Sequence, residues 1–286
     1  MKRALAYVLI AICILLSNAV PVYANIFLST WEGATLGGLT FEDGDIVEYD
    51  PATDTATLLF SESRLTPYNT IFPPDIDAIH IRDNGNIVFS TLFMGYLDSL
   101  YFQSSDLIEY NPATDTATLF FDGSDHFVGN TSYPNIDALH ILDNGNLILS
   151  TAYEANIGGM LFEDGDLFEY NPTTRAASLF FDEDLLSKDD DVNGVYVIDG
   201  DTIILTVASC ISTSLGGTPI QWGDLVEYHF STDTATVIFP QSTFTTSGEN
   251  IDAVFMNGSS AVPEPATIIL ICLGGLGLGI SKKRKS

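Results

Sequence analysis

The chain repeats one pattern of apolar and polar residues four times. Each copy has an apolar run that ends in Glu-Tyr, then a turn, then a Thr-rich run that ends in Phe. Apolar runs around a tight turn are typical of two antiparallel strands, and Asp-Pro or Asn-Pro marks the turn in the first three copies. The copies span residues 44–60, 105–121, 165–181 and 223–239.

A second phrase precedes copies two to four, at residues 76–91, 136–151 and 192–207. Asn84-Gly85 and Asn144-Gly145 interrupt its apolar alternation, and such pairs suit a type I′ hairpin turn, which needs positive φ at both central residues. Each unit is therefore predicted to have four strands, A, B, C and D.

The ends of the repeat region complement each other. Residues 25–30 match strand B with no strand A before them, and residues 251–256 match strand A with no B, C or D after them. A ring gains from this permutation, because the last strand fills the first sheet and removes exposed edges. We expect an all-β domain over residues 25–258, a four-bladed β-propeller with a closing blade of 3+1 strands. The alternatives are an open array and a pair of sandwiches.

The two ends of the chain look like targeting segments. Residues 1–24 combine Lys2 and Arg3 with an apolar stretch and small residues before Asn25, which predicts a secretory signal peptide. A linker over 259–265 leads to an apolar segment, predicted as a single transmembrane helix over 266–281, and to a basic tail over 282–286. The positive-inside rule puts that tail in the cytoplasm and the body outside.

The linker carries Pro263-Glu264-Pro265, followed by the apolar span and a Lys/Arg-rich end. This arrangement resembles the PEP-CTERM sorting signal of bacterial surface proteins. The resemblance implies an exosortase that recognises and cuts the chain near this motif. It also implies a Gram-negative bacterium that secretes exopolysaccharide, with the protein anchored in the inner membrane before processing and then in the periplasm, on the outer surface or in the matrix. A permanent single-pass anchor is the alternative.

The repeats themselves resemble a family of uncharacterised secreted bacterial repeats. The shared features are an Ile-Asp-Ala-Leu-His strand at 136–140, an acidic start at 166–167 and a Phe-Asp-Gly-Ser-Asp run at 121–125. This resemblance covers residues 25–257 and implies no established activity.

The net charge of the chain excludes one class of function, nucleic acid binding. The chain has 38 acidic and 10 basic residues, and residues 25–261 carry 37 acidic against 4 basic ones, a net charge of −33. Such a polyanion does not bind nucleic acid phosphates.

Cys210 is the single cysteine between the terminal segments, so no disulfide framework stabilises the body.

Acidic residues are the candidate ligands for a metal, with Ca²⁺ as the candidate ion. Asp45 and Asp166 lie in repeated Gly-rich loops between strands B and C, where Asp-Gly is also ordinary turn chemistry. Asp77, Asp137, Asn193 and Asp252 share one position at the start of strand A, where they converge in a closed ring. Capping of backbone groups is the alternative for this second set.

The remaining candidates are aromatic and histidine side chains. Trp31, Tyr153 and Trp222 in the B–C loops are predicted to stack on sugar rings or to plug the loops against the blades. His80 and His140 share a register position with Tyr196 and Phe255, which favours packing over metal ligation.

No catalytic motif is present in the sequence. We therefore expect a non-enzymatic secreted protein that binds a ligand or has a structural role in an exopolysaccharide or biofilm matrix, with extracellular polysaccharide as its candidate partner. The alternative is a metal-dependent hydrolase of propeller type that acts on an extracellular substrate.

Overall fold

The computed structural model describes residues 25–69, 73–129, 134–188, 190–208, 213–246 and 249–257, which form one compact unit. The predicted signal peptide, sorting linker, transmembrane helix and basic tail lie outside these residues. No helix within the described ranges has the length and apolar character to span a bilayer. The all-β prediction is confirmed, since strands dominate and the helical segments are single turns.

The repeats form four separate antiparallel sheets of four strands, each in the order A-B-C-D. Sheet 1 consists of β25 (Ile251–Met256), β1 (Ile26–Thr30), β4 (Ile46–Asp50) and β5 (Thr55–Phe60). Sheet 2 consists of β7 (Ile76–Ile81), β8 (Ile87–Thr91), β11 (Leu107–Asn111) and β12 (Thr116–Phe121). Sheet 3 consists of β13 (Ile136–Ile141), β14 (Leu147–Thr151), β17 (Leu167–Asn171) and β18 (Ala176–Phe181). Sheet 4 consists of β19 (Val192–Val197), β20 (Thr202–Val207), β23 (Leu225–His229) and β24 (Thr234–Phe239).

Sheet 1 joins the two ends of the described chain. Strand β25 pairs antiparallel with β1, with Ile26 opposite Met256 and Leu28 opposite Val254. The predicted pairing of residues 25–30 with 251–256 is therefore confirmed. All residues of both strands are buried, so this pairing adds apolar burial as well as ladder hydrogen bonds.

The B–C segments are hairpins rather than the open loops that the sequence analysis predicted. Each packs against strand D of its own sheet. At the tip of the first, the amide of Ala56 donates to the carbonyl of Gly37, which has φ +53° and no room for a Cβ atom. The hairpin strands are β2 (Ala34–Leu36), β3 (Leu39–Phe41), β9 (Gly95–Leu97), β10 (Leu100–Phe102), β15 (Ala155–Ile157), β16 (Met160–Phe162), β21 (Thr213–Leu215) and β22 (Thr218–Ile220), and β6 (Leu65–Pro67) adds to β9.

A single helical turn follows each strand D. These turns are η1 (Glu62–Arg64), α1 (Gly123–His126), η2 (Glu183–Leu185) and η3 (Gln241–Thr243).

Aromatic contacts connect each sheet to the next in a cycle. The Phe that ends strand D lies edge-on against the Tyr of the following strand C, with centroid distances of 5.1 to 6.1 Å. The pairs are Phe60–Tyr110, Phe121–Tyr170, Phe181–Tyr228 and Phe239–Tyr49. The last pair connects the fourth sheet to the first.

The four A strands also contact each other cyclically, β7 with β13, β13 with β19, β19 with β25 and β25 with β7. Their central side chains, His80, His140, Tyr196 and Phe255, meet edge to face with centroid distances of 4.8 to 5.3 Å. Packing of this kind is what the sequence predicted for the two histidines.

Candidate functional site

A β-bulge lies at the start of every A strand. In sheet 2, Ile76 is opposite Thr91 and Ala78 is opposite Ser90, so Asp77 has no partner across the ladder. Asp137, Asn193 and Asp252 occupy the same unpaired position in the other sheets. A bulge re-aims the side chain of the extra residue, which is how four strand residues come to face a common space.

That space is a pocket of about 240 Å³. Its polar floor consists of the bulged residues and of Asn or Asp side chains two positions before them, and its wall consists mainly of apolar side chains. The floor residues are Asp77, Asn135, Asp137, Asp191, Asn193, Asn250 and Asp252. The wall residues are Trp31, Leu92, Ala152, Ala208 and Trp222.

The pocket brings together Asp77, Asp137, Asn193 and Asp252, as the sequence analysis expected. Sequence reasoning did not assign Asn135, Asp191 and Asn250 to this site. The available signal was a repeated pattern in which an Asp or Asn stands on both sides of the first residue of strand A.

Backbone hydrogen bonds hold the wall over the floor. The amide of the residue that follows strand B donates to the carbonyl of the residue that precedes strand A. The four bonds are Trp31 to Asn250 at 3.0 Å, Leu92 to Asp75 at 2.7 Å, Ala152 to Asn135 at 3.0 Å and Ala208 to Asp191 at 2.8 Å. These main-chain bonds fix the backbone of four wall residues beside the floor.

Several floor atoms are buried without a hydrogen-bond partner. These are the Oδ1 atoms of Asn135, Asp137, Asp191, Asn193 and Asn250 and both carboxyl oxygens of Asp252, and on the wall the Nε1 of Trp222. An unpaired buried polar group costs about 1–3 kcal/mol. Such a cluster in one pocket is a reason to look for a ligand.

Burial raises the pKa of every carboxyl group on the floor, and the negative charges of nearby carboxylates raise it further. The pKa of Asp77 rises to about 8 through burial and the charge of Asp191. The pKa of Asp191 rises to about 7. Burial raises the pKa values of Asp137 and Asp252 well above the usual range. Asp137 and Asp191 also share a side-chain hydrogen bond, which acts to raise the pKa of Asp137 and to lower that of Asp191.

Asp45 and Asp166 do not line this pocket. One oxygen of Asp45 accepts from the amide of Glu42 at 3.2 Å and the other from the amide of Glu62 at 2.9 Å. Asp166 binds the amides of Glu163 and Glu183 in the same way. Both residues connect the B–C hairpin to the helical turn after strand D, a structural role that Asp106 and Asp224 repeat.

Oxygen atoms are the ligands that Ca²⁺ prefers. The part of the chain that the structure describes contains no group of three His, Cys, Asp or Glu side chains placed to hold a metal ion. Calcium binding therefore stays a prediction.

Two of the three predicted aromatic residues line the pocket. Trp31 is 46% exposed and Trp222 is half-buried, and they are the only tryptophans in the chain. Tyr153, at 65% exposure, is not among the lining residues. A separate aromatic cluster joins Tyr68, on β6's C-terminal side, to Tyr96 and Tyr101 of the second hairpin.

The central histidines are neutral packing residues. Their Nδ1 atoms accept from backbone amides of the next sheet, His80 from Ile141 at 3.1 Å and His140 from Val197 at 3.3 Å. Burial is the main cause that lowers the pKa of His80 to about 3 and that of His140 to about 4.

Residues 261–285 match the family model of the PEP-CTERM protein-sorting motif. The resemblance of the C-terminal segment to this sorting signal is therefore confirmed, and the chain carries the motif at these residues. The motif indicates export, recognition by exosortase-type sorting machinery and processing at the cell envelope of a Gram-negative bacterium.

No curated protein matches the chain. Similar solved structures include the extracellular domain of a proposed one-component system from B. thetaiotaomicron (14% identity, TM-score 0.31), with 77% of this chain and 28% of that chain covered. A protein of unknown function from Bacteroides caccae has 9% identity and a TM-score of 0.38, with coverage of 81% and 98%. An auxiliary nutrient binding protein from Bacteroides thetaiotaomicron has 11% identity and a TM-score of 0.34, with coverage of 77% and 50%. The chain thus spans less than a third of the first of these proteins.

Proposed function

We propose that this protein is a non-enzymatic carbohydrate-binding protein of the cell surface or exopolysaccharide matrix, delivered there by exosortase sorting. Its body is a four-bladed β-propeller, and the pocket at the start of the four A strands is its ligand site.

Three features support the propeller. The A strands contact each other in a cycle, the Phe–Tyr contacts connect the fourth sheet to the first, and strand β25 completes sheet 1. In a propeller, loops at one end of the central axis form a shared site from residues of every blade, which matches the composition of the pocket.

The observation that carries the binding function is the combination of indole rings and unpaired oxygens in one pocket. Trp31 and Trp222 offer apolar ring faces, and the floor offers acceptors for hydroxyl groups. Pockets for small molecules combine apolar walls with a few polar groups that fix the ligand. A sugar ring has an apolar C–H face and a rim of hydroxyl donors, so it complements both surfaces.

The hydrolase alternative lacks a comparable observation. The described residues contain no metal-holding cluster, and the two central histidines have their Nδ1 atoms engaged with backbone amides.

Tryptophan fluorescence tests the proposal, because both tryptophans of the chain line the pocket. Residues 25–257 titrated with oligosaccharides of bacterial exopolysaccharide should show saturable changes in emission. Trp31→Ala should abolish binding measured by calorimetry, whereas Tyr153→Ala, outside the pocket, should bind like the parent. Equal loss in both variants, or no binding to any oligosaccharide, would refute the proposal.

A further inference from the structure

The unpaired atoms of the pocket are almost all hydrogen-bond acceptors. Asn135, Asp137 and Asn193 each present an unpaired oxygen and are 4 to 6% exposed, and Asp252, 4% exposed, presents two. The Nε1 of Trp222 is the one unpaired buried nitrogen among the described lining residues. A ligand that completes this site therefore brings several donors and few acceptors.

No lysine or arginine is among the described lining residues. Basic side chains engage partners elsewhere, as in the pairs Arg64–Asp115 and Arg82–Glu109. The floor carboxyl groups thus have no cationic partner from the chain itself. Buried carboxyl groups without a cationic partner keep their protons, and a positive group on the ligand gives the ionised forms the partner that the chain does not supply.

The floor carboxyl groups also repel one another. The charge of Asp191 raises the pKa of Asp77, the charges of Asp191 and Asp77 raise that of Asp137, and the charges of Asp75 and Asp77 raise that of Asp252, in each case after burial. A cation bound among them reverses this repulsion and favours their ionised forms.

An ammonium group makes less strict demands on the geometry of the floor than a metal ion does. A metal ion needs oxygens at about 2.3–2.6 Å in one coordination shell, and the described residues bring no three acidic or histidine side chains together in that way. An ammonium group needs acceptors only at about 2.7–3.2 Å and has three donors. The indoles of Trp31 and Trp222 add cation–π attraction on the wall.

We propose that the pocket selects amino sugars, with the ammonium group bound by the Asp and Asn oxygens of the floor and the sugar ring against the indoles of the wall. This inference rests on the proposed carbohydrate-binding function and names its substrate class. The volume of about 240 Å³ is slightly below the range of about 300–1,000 Å³ for drug-sized ligands, which suits one sugar ring.

Three tetrasaccharides that differ only at C2 test the inference: the tetramer of glucosamine, the tetramer of N-acetylglucosamine and cellotetraose. They carry an ammonium, an acetamide and a hydroxyl group there. Because a hydrogen bond to a charged group is stronger than a neutral one by roughly 1 kcal/mol, the glucosamine tetramer should bind to residues 25–257 about fivefold more tightly than cellotetraose, by tryptophan fluorescence at constant ionic strength.

Two variants test whether a floor carboxyl group causes the preference for the glucosamine tetramer over cellotetraose. Asp252→Asn keeps the size of the side chain and removes its charge, so it should reduce the preference to less than about threefold while cellotetraose binds as before. Asp143→Asn removes the same charge from an exposed position beyond strand β13 and should retain the full preference. If Asp252→Asn impairs folding, Asp137→Asn takes its place, with near-ultraviolet circular dichroism as the folding control.

Two further probes separate the possible failures. Tetralysine has comparable positive charge without a sugar ring, and equal binding of tetralysine and the glucosamine tetramer would reduce the effect to attraction by an acidic surface. If CaCl₂ alone gives a saturable response and prevents binding of the glucosamine tetramer, the site binds a metal ion and the proposed ammonium site is wrong. Equal affinity for all three tetrasaccharides would overturn the amino-sugar preference and leave carbohydrate binding intact, whereas no binding of any of them would overturn both.

Discussion

The ring of Phe239 lies edge-on against the ring of Tyr49, with 5.7 Å between the centroids and an interplanar angle of 78°. Phe239 ends the last strand of the fourth sheet, and Tyr49 lies in the first sheet. The two residues are separated in sequence by most of the repeat region. The same contact joins Phe181 to Tyr228, in consecutive repeats, at 5.9 Å and 85°. The first and fourth sheets therefore meet as neighbouring repeats do.

This equivalence gives a test of ring closure. Phe239→Ala and Phe181→Ala should destabilise residues 25–257 by similar amounts, about 3–5 kcal/mol each, because both rings are buried and contact the next sheet. Urea unfolding measures both free energies. A much smaller effect of Phe239→Ala would indicate an open array with a free fourth sheet.

The pocket carboxyl groups predict a loss of stability as the pH rises to about 8. Asp77 has a pKa of about 8 in the fold against about 3.9 in an unfolded chain. Its protonated form stabilises the fold below the unfolded pKa, and this contribution is lost as pH rises through the folded pKa. The unfolded histidines, with a pKa of about 6.5, have lost most of their protons by about pH 7.5. From about pH 7.5 to 8 the free energy of unfolding should therefore fall as pH rises.

Asp77→Asn should reduce that slope by up to about 1.4 kcal/mol per pH unit, the value reached where this carboxyl group is still fully protonated in the fold, and by about half of that at its folded pKa. Asp143→Asn, at an exposed position, should leave the slope unchanged. Chemical denaturation at several pH values measures it. An unaltered slope in Asp77→Asn would mean that this carboxyl group ionises normally in the folded protein.

Four aspartates connect a B–C hairpin to the helical turn after strand D: Asp45, Asp106, Asp166 and Asp224. Their substitution should lower the free energy of unfolding without changing ligand affinity. Asp106→Ala leaves the amides of Gln103 and Gly123 without their acceptor, so it should cost about 1–3 kcal/mol. Asp83→Ala, at an exposed position, should change the free energy of unfolding by less than about 0.5 kcal/mol. If EDTA destabilised the parent but not Asp106→Ala, Asp106 would be a metal ligand rather than an acceptor for these two amides.

The sorting motif predicts a processing defect. Glu264→Gln should leave the protein uncut and bound to the membrane, because the Pro-Glu-Pro motif of the match at 261–285 is then no longer intact. Mass spectrometry of the surface form measures the cut, and Glu32→Gln in the body is the matched control. An unchanged mass in Glu264→Gln would show that the processing enzyme does not read this glutamate.

The local sequence pattern was sufficient to predict the strands and the pairing of the two ends of the repeat region. The alternation around Asn84-Gly85 and Asn144-Gly145 specifies hairpins because turn chemistry and strand periodicity act over a few residues. The match of residues 251–256 to the other A strands predicts their pairing with residues 25–30 because the same side chains require the same neighbours. The Gly37-Gly38 pair between apolar residues carried a similar hairpin signal, but the acidic residues beside it favoured an interpretation as a metal-binding loop.

The site depended on the tertiary structure. Strict alternation gives no indication that Asp77, Asp137, Asn193 and Asp252 are bulged, because a bulge arises from the register between two strands and not from one strand. Sequence alone also does not separate Asp252, buried with both oxygens unpaired, from Asp45, whose oxygens accept backbone amides. The sequence determined which residues recur in each repeat, and only the packing of four repeats decided which of them share a pocket, since burial and convergence depend on all four sheets at once.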